Sequence, residues 1–152
     1  MEVQILEENL KKVVTVDDNA SYLAVVRNQL KSVFEVYPAP SAIKLFTIMG
    51  NFIPDLVLLD IDMPGMDGYD VIKSMKANPR YKDIPVVFLT AQEDELNAEE
   101  CLNLGAADFI TKPISGALLV RRVSNILQLE DQKKELLESR AIIKDLRDQQ
   151  KT

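Results

Sequence analysis

The chain has 152 residues, of which 47% are hydrophobic, and its formal net charge at pH 7 is -6. A hydrophobic fraction of this size is typical of one compact domain with a substantial core. Direct binding of nucleic acid by this chain is not expected, because phosphate contacts need clustered Lys and Arg side chains on one face.

The single cysteine, Cys101, cannot form an internal disulfide, and we interpret it as a small buried hydrophobe. The sequence shows neither a signal peptide nor an apolar run long enough to cross a bilayer. We therefore expect a cytoplasmic protein that does not enter a membrane.

Short apolar runs alternate with segments of helical periodicity, which is the pattern of βα units around a parallel sheet. Most runs are rich in Val, Ile, Leu or Phe, as expected for strands covered on both faces, although Glu35 interrupts the second. This alternation predicts a doubly wound α/β fold. The predicted strands are residues 13–17, 33–37, 56–60, 85–90 and 107–110, and the first four predicted helices are residues 20–31, 40–50, 68–77 and 94–104.

Particular residues are expected to set the ends of these elements. Asn19 is a suitable N-cap for the first helix, and Gly105 lies just past the end of the fourth. Gly65 and Gly68 are interpreted as turn and helix-entry residues.

A fifth helix begins near Ser115, and no Pro or Gly after Gly116 predicts where it stops. After Leu129 the composition turns to Glu, Lys, Gln, Arg and Asp, which indicates a change from a core-facing helix to a solvated one. We therefore divide the chain into an N-terminal extension at residues 1–10, a domain at residues 11–128 and a helical extension at residues 129–152. The N-terminal extension is either a disordered start or a short amphipathic helix from Val3 to Leu10.

Leu129, Leu136 and Ile143 recur every seven residues in the helical extension. Of their heptad partners only Leu146 is apolar, because positions 132 and 139 are Gln and Ser. Two interpretations stay open: a frayed solvated helix, or a dimerising linker toward an output domain.

Carboxylates follow two of the predicted strands. Asp17 and Asp18 end the first apolar run, and Asp60 ends the third. The carboxyl ends of parallel strands meet at the sheet edge where open α/β sheets bind ligands, so we expect the three carboxylates to converge. Like charges at close range raise each other's pKa, and a metal ion resolves this. Because the chain has no histidine, a site of oxygen ligands favours Mg²⁺.

Since Mg²⁺ prefers few protein ligands and a phosphate, this pocket predicts phosphoryl transfer with Asp60 as the nucleophile. Thr90 ends the fourth strand, where its hydroxyl is able to bond a phosphoryl oxygen. Lys112 follows the fifth strand and offers a second cation for phosphate oxygens. Pro113 makes the preceding peptide a candidate cis bond, which would fix the turn that aims the amine inward.

Each residue has a simpler explanation when taken alone. The acidic pair could cap the first helix, Thr90 could be an ordinary polar strand end, and Lys112 could be a solvated lysine. Unrelated surface residues would rarely place Asp-Asp, Asp, Thr and Lys at four strand ends. The joint pattern therefore favours a functional site.

With these residues the chain resembles the receiver domain of two-component response regulators over about residues 11–128. The resemblance implies a flavodoxin-like five-stranded parallel sheet in the order 2-1-3-4-5. The matching positions are the acidic pair Asp17 and Asp18, the phosphoacceptor Asp60, the Met-Pro-Gly-Met-Asp-Gly loop at residues 63–68, the hydroxyl at Thr90 and the lysine–proline pair Lys112 and Pro113.

The resemblance also implies the metal ligands and the partner. Asp18 and Asp60 would bind Mg²⁺ directly, Asp17 through water, and the backbone carbonyl of Asp62 would complete the protein ligands. A histidine kinase or phosphotransfer protein would present a phosphohistidine to Asp60, and the domain would itself catalyse phosphorylation and dephosphorylation. The last helices would offer a surface for a homodimer.

The same resemblance implies a switch, in which Thr90 moves toward the phosphoryl group and Phe109 turns inward behind it. Phe109 stands where other members commonly have tyrosine, so an output that depends on a phenol is not expected. Asp62 and Gln92 would flank the path of the hydrolytic water and tune the lifetime of the phosphorylated state.

Two other functions compete with this interpretation. One is a receiver that is never phosphorylated and serves only for docking or dimerisation. The other is a haloacid-dehalogenase-like phosphatase, because Asp60 has a second acid two residues later. That motif normally follows the first strand, whereas two predicted βα units precede Asp60 here. Nucleotide binding is excluded more simply, since the five glycines form neither a Gly-x-Gly-x-x-Gly motif nor a P-loop.

Overall fold

A computed structural model of the chain describes residues 10–91 and 95–151, except for the side chains of residues 95–97. Residues 1–9 of the predicted N-terminal extension lie outside the described residues, as does Gln92, whereas Leu10 is described and belongs to no helix or strand.

Five parallel strands form one sheet in the order β2-β1-β3-β4-β5, which confirms the predicted doubly wound fold and its strand order. Within the described ranges, five helices alternate with the strands. The strands are β1 (Lys12–Val16), β2 (Glu35–Ala39), β3 (Leu56–Leu59), β4 (Val86–Thr90) and β5 (Asp108–Thr111). The helices are α1 (Ala20–Leu30), α2 (Ala42–Asn51), α3 (Gly68–Ala77), α4 (Glu95–Asn103) and α5 (Gly116–Gln150).

The core consists of two hydrophobic layers, one on each face of the sheet. Helices α1 and α5 cover one face, and α2, α3 and α4 cover the other. Successive strand residues alternate between the layers, as Leu58 and Leu59 show, because side chains in a strand point to opposite faces. Both leucines are fully buried, and each such burial contributes about 1.5–3 kcal/mol. These layers hold the carboxyl edge of the sheet in place.

The second strand differs from its prediction, since it lies at residues 35–39 and not at 33–37. Val33 and Phe34 instead donate their N–H groups to the carbonyl of Leu30, in the turn that ends α1. The strand then continues through Pro38, which lies on the edge of the sheet, where a residue without an N–H group is tolerated. The strand therefore begins and ends two residues later than predicted.

Two predicted end residues are confirmed, although several element boundaries differ from their predictions by one or two residues. Asn19 caps α1 by accepting the N–H of Tyr22 at 3.1 Å, and Gly105 ends the turn after α4 with a φ of 98°. Cys101 is fully buried within the core, as expected. Asp17 and Asp60 each follow their strand directly and do not lie within it.

Helix α5 is 35 residues long and extends well beyond the sheet. Leu119, Val123 and Leu127 are buried in the core, whereas every residue from 132 to 150 is exposed. Lys11, before β1, bridges to Asp131 at 3.0 Å, near the point where the helix leaves the domain. No helix in the described ranges is both long and apolar enough to span a membrane.

Gly68, the first residue of α3, lies against the backbone that carries Asp60. Its N–H donates to the Ile61 carbonyl at 2.8 Å. A Cβ at this position would lie 2.5 Å from the Asp60 carbonyl oxygen and 2.8 Å from the Ile61 Cα. Because both are backbone atoms, neither is able to swing aside.

We therefore expect Gly68→Ala to lower the free energy of unfolding by about 1–3 kcal/mol, measured by urea denaturation. Gly50→Ala is the matched control, since a Cβ there meets nothing within 4 Å and lies in α2. It should stabilise the protein by up to about 1 kcal/mol, because Gly is a poor helix former. Equal stability of Gly68→Ala and wild type would contradict the close approach.

Candidate functional site

Backbone hydrogen bonds at the strand ends set the position of the acidic residues. The Asp60 N–H donates to the Val16 carbonyl at 2.9 Å, and the Asp17 N–H donates to the Ala39 carbonyl at 3.1 Å. These bonds continue the ladder between neighbouring strands, so Asp60 lies beside the acidic pair. Carboxylate oxygens of Asp17, Asp18 and Asp60 lie within 4.8 Å of one another. The structure therefore brings together the three carboxylates that the sequence singled out.

The three carboxylates differ in exposure. Asp17 is 3% exposed and Asp60 is 7% exposed, whereas Asp18 faces solvent. One oxygen of Asp17 accepts the Asn19 N–H at 2.9 Å, and one oxygen of Asp60 accepts the Ile61 N–H at 3.0 Å. The two buried carboxylates are thus held by backbone, and Asp18 lies at the open side of the cluster.

Lys112 supplies the positive charge at this cluster. Its ammonium donates to Asp17 in a short ion pair and lies 3.8 Å from Asp60. The Lys112 N–H donates to the Thr90 carbonyl at 2.8 Å, and the peptide bond between Lys112 and Pro113 is cis. The lysine therefore lies in the site, as its position after the fifth strand predicted.

Thr90 is 1% exposed, and its hydroxyl hydrogen-bonds the Asp60 carboxylate. Burial and the nearby charge of Asp17 nevertheless raise the pKa of Asp60 to about 6. The Lys112 ammonium, the Thr90 hydroxyl and the Ile61 N–H oppose this rise in pKa. The pKa of the central carboxylate therefore lies above that of an ordinary aspartate.

The donor set suits a hard cation. Three carboxylates face one ammonium, which leaves two negative charges in excess when all four groups are ionised. All three acids offer oxygen, and the chain contains no histidine. Mg²⁺ prefers such ligands over nitrogen or sulfur, so the residues present fit this ion.

Tyr22 is a site residue that sequence reasoning missed. Its ring lies on the first turn of α1, with its centroid 4.1 Å from the Lys112 ammonium. Burial raises the pKa of Tyr22, and the charges of Asp17 and Asp60 add to the rise. The sequence held one signal for this position. Asn19 is an N-cap, and Tyr22, three residues later, belongs to the first helical turn, directly after the acidic pair.

Two other predicted residues, Phe109 and Asp62, lie on β5 and in the loop after β3. Phe109 pairs with Phe88 in the register of β5 and β4, and it packs against the layer that contains α2, α3 and α4. The side chain of Asp62 is exposed in the loop after β3. The contacts described above join Asp17, Asp18, Asp60, Thr90, Lys112 and Tyr22.

Known proteins are similar to this chain in sequence and in fold. A probable cyclic di-GMP phosphodiesterase of Vibrio cholerae is 38% identical over 125 residues, which are 82% of this chain and 28% of that protein. The response regulator PleD of Caulobacter vibrioides is 32% identical over 120 residues, 78% of this chain and 26% of that protein. The chain thus spans about a quarter of the length of these relatives.

A solved structure, a CheY-like response regulator receiver domain protein from Methanospirillum hungatei, superposes with a TM-score of 0.74 at 25% identity. The match covers 82% of this chain and 99% of that one. The family model of the response regulator receiver domain matches residues 13–124. Because sequence match, strand order and acidic cluster agree, the chain belongs to the response regulator receiver domain family.

Proposed function

We propose that this receiver accepts a phosphoryl group on Asp60 from the phosphohistidine of a histidine kinase or phosphotransfer protein, with Mg²⁺ as cofactor. The phosphorylated domain then changes conformation and controls an output or partner. One observation carries the proposal: Asp60 lies in a buried cluster with the acidic pair, the Thr90 hydroxyl and the Lys112 ammonium. Receiver domains bind Mg²⁺ and act in two-component signalling, and this membership decides against the haloacid-dehalogenase-like alternative.

The contacts of the acidic pair support a division of roles in metal binding. Both oxygens of Asp17 already accept bonds, one from the Asn19 N–H and one from Lys112. Asp18 is exposed beside Asp60. We therefore assign direct ligation to Asp18, Asp60 and the backbone carbonyl of Asp62, and water-mediated ligation to Asp17.

The chemistry follows from these positions. An oxygen of Asp60 attacks phosphorus, the P–N bond of the phosphohistidine breaks, and an acyl phosphate forms. When bound, Mg²⁺ neutralises charge on the transferring phosphoryl oxygens. Lys112 donates to one phosphoryl oxygen. The Thr90 hydroxyl leaves the Asp60 carboxylate and donates to another phosphoryl oxygen. Water later hydrolyses the acyl phosphate, which returns the Asp60 carboxylate and releases inorganic phosphate.

We propose Thr90 and Phe109 as the switch. The Thr90 carbonyl accepts the Lys112 N–H, so a movement of Thr90 toward the phosphoryl group would also displace Lys112, which follows β5. Phe109 is only partly buried, so an inward turn would bury more of its ring. Because it has no phenol, it acts through packing alone. Phosphorylation would thereby change the surface with which the face of the last two helices, or the helical extension, pairs.

The proposal also covers the location of the protein, its domain boundaries and its assembly. We place the protein in the cytoplasm, and we assign it no direct contact with nucleic acid or a membrane. The domain boundaries of 11–128 and 129–152 stay as the sequence predicts them, and a homodimer through the last helices is part of the proposal. Activities of the longer relatives would belong to segments outside the region that matches this chain.

The proposal predicts a phosphoryl adduct on intact-mass spectrometry after incubation with acetyl phosphate and Mg²⁺. The adduct should be absent from Asp60→Asn and from the wild type in EDTA, because nucleophile and metal are both required. A folded protein that stays unlabelled, beside a receiver that labels under the same conditions, would favour the docking alternative.

A second prediction concerns pH and Mg²⁺. The raised pKa means that the folded state binds more protons than the unfolded state between about pH 4 and 6. The contribution of Asp60 to stability therefore falls as pH rises through this window. At about pH 7.5 without metal, Asp60→Asn should be more stable than wild type by about 1–3 kcal/mol, and the gap should close below about pH 4.

Added Mg²⁺ should raise the melting temperature of wild type more than that of Asp60→Asn, since binding to the folded state stabilises it. Asp83→Asn, which removes an exposed carboxylate elsewhere, is the matched control and should behave as wild type in both comparisons. A destabilised Asp60→Asn at neutral pH would show that the buried carboxylate carries no electrostatic cost.

A third prediction concerns Tyr22. Tyr22→Leu should slow phosphorylation by acetyl phosphate about 2- to 30-fold, because a cation–π contact contributes about 0.5–2 kcal/mol. Tyr22→Phe keeps the ring and should retain most of the rate. The rate is measured at saturating Mg²⁺, and equal rates for Tyr22→Leu and Tyr22→Phe would mean that the ring does not position Lys112.

A further inference from the structure

The outer part of α5, residues 129–150, carries an exposed apolar row. Leu129, Leu136, Ile143 and Leu146 are 64%, 52%, 51% and 54% exposed. Their spacing of seven and three residues places them along one stripe of the helix, at the a and d positions of a heptad repeat. Within the described part of the chain, no residue buries this row.

The start of the stripe faces an open groove. Leu129, Gln132 and Leu136 line a cavity of about 450 Å³, together with other residues of α5 and with Ala107. These three residues are consecutive a, d and a positions. The stripe is therefore accessible from the point where α5 leaves the domain.

The charges beside the stripe differ on its two sides. One flank, the e positions, is entirely basic: Lys133, Arg140 and Arg147. The other flank, the g positions, contains no basic residue and consists of Gln128, Glu135, Ile142 and Gln149.

These flanks favour one relative orientation of two such helices. An antiparallel pair places the e positions of one helix beside the e positions of the other. The three basic side chains of one copy would then face the three basic side chains of the other copy. A parallel pair places g against the e position five residues later on the other helix. Glu135 then faces Arg140 of the second copy, twice in each dimer.

The polar residues within the stripe favour the same orientation. Gln132 and Ser139 occupy d positions. A parallel, in-register pair stacks d on d, so each polar side chain meets its own copy. An antiparallel pair stacks d on a, which buries these polar groups against leucine and isoleucine at a cost in free energy.

We infer that residues 129–150 of two copies of this chain form a parallel, in-register two-stranded coiled coil, with Glu135 of each copy paired with Arg140 of the other. This inference deepens the proposed homodimer. Phosphoryl transfer to Asp60 does not depend on it, so the two are tested separately.

The register is tested by cross-linking Gln132→Cys in the full chain with a short bismaleimide. In a parallel pair the two cysteines lie within the helix separation of about 8–10 Å, whereas an antiparallel pair over the same residues places them about 20 Å apart. Lys134→Cys, on the outer face, is the matched control. Wild type is the blank, because Cys101 is fully buried.

We expect concentration-dependent cross-linking of Gln132→Cys at several times the rate of Lys134→Cys. Equal rates for the two variants, or no cross-linked dimer at any concentration at which the chain stays soluble, would overturn the inference. Each variant is also labelled with acetyl phosphate. Loss of labelling with intact cross-linking would count against the proposed function and leave the coiled coil supported.

The charge pairing is tested by sedimentation of Glu135→Arg, Arg140→Glu and the double variant. Each single variant places like charges opposite each other twice in the dimer and should weaken dimerisation about 3-fold or more. The double variant restores opposite charges and should recover most of the affinity. Glu138→Arg, at an outer c position, is the control. A double variant weaker than both single variants would contradict the pairing.

Discussion

The structure depends on one electrostatic constraint: three carboxylates share a partly buried edge of the sheet with a single ammonium. Asp17 and Asp60 are held there by backbone hydrogen bonds, so neither is free to move away from the other. Lys112 offsets only part of the charge, and burial together with the charge of Asp17 raises the pKa of Asp60 to about 6. A cation, or a chemical change at Asp60, relieves this repulsion.

The rest of the fold keeps this imbalance in place. Two apolar layers fix the strands, and Gly68 allows the loop after β3 to close tightly against the backbone of Asp60. Lys112 is joined to Thr90 by a backbone hydrogen bond, and its ammonium lies over the ring of Tyr22. A change of charge at Asp60 therefore reaches the ends of β4 and β5 and the first turn of α1 through direct contacts.

The sequence predicted the sheet and the carboxylates, because apolar runs and polar strand ends are local signals, whereas the strand order followed from the family resemblance. It placed β2 two residues early, because the turn after α1 takes up Val33 and Phe34 and the strand continues through Pro38, which an edge position tolerates. It missed Tyr22, because contact between its ring and Lys112 joins residues that are distant in the chain and depends on how α1 packs. The raised pKa of Asp60 likewise depends on burial that no local pattern records.

The most direct test of this account is a carboxyl ¹³C NMR titration of Asp60, with and without Mg²⁺. We expect an apparent pKa near 6 in the metal-free protein, since burial and Asp17 disfavour the charged form, and a lower pKa when Mg²⁺ is present. An Asp60 pKa near 4 that does not respond to Mg²⁺ would contradict the claim that this site is held under electrostatic repulsion.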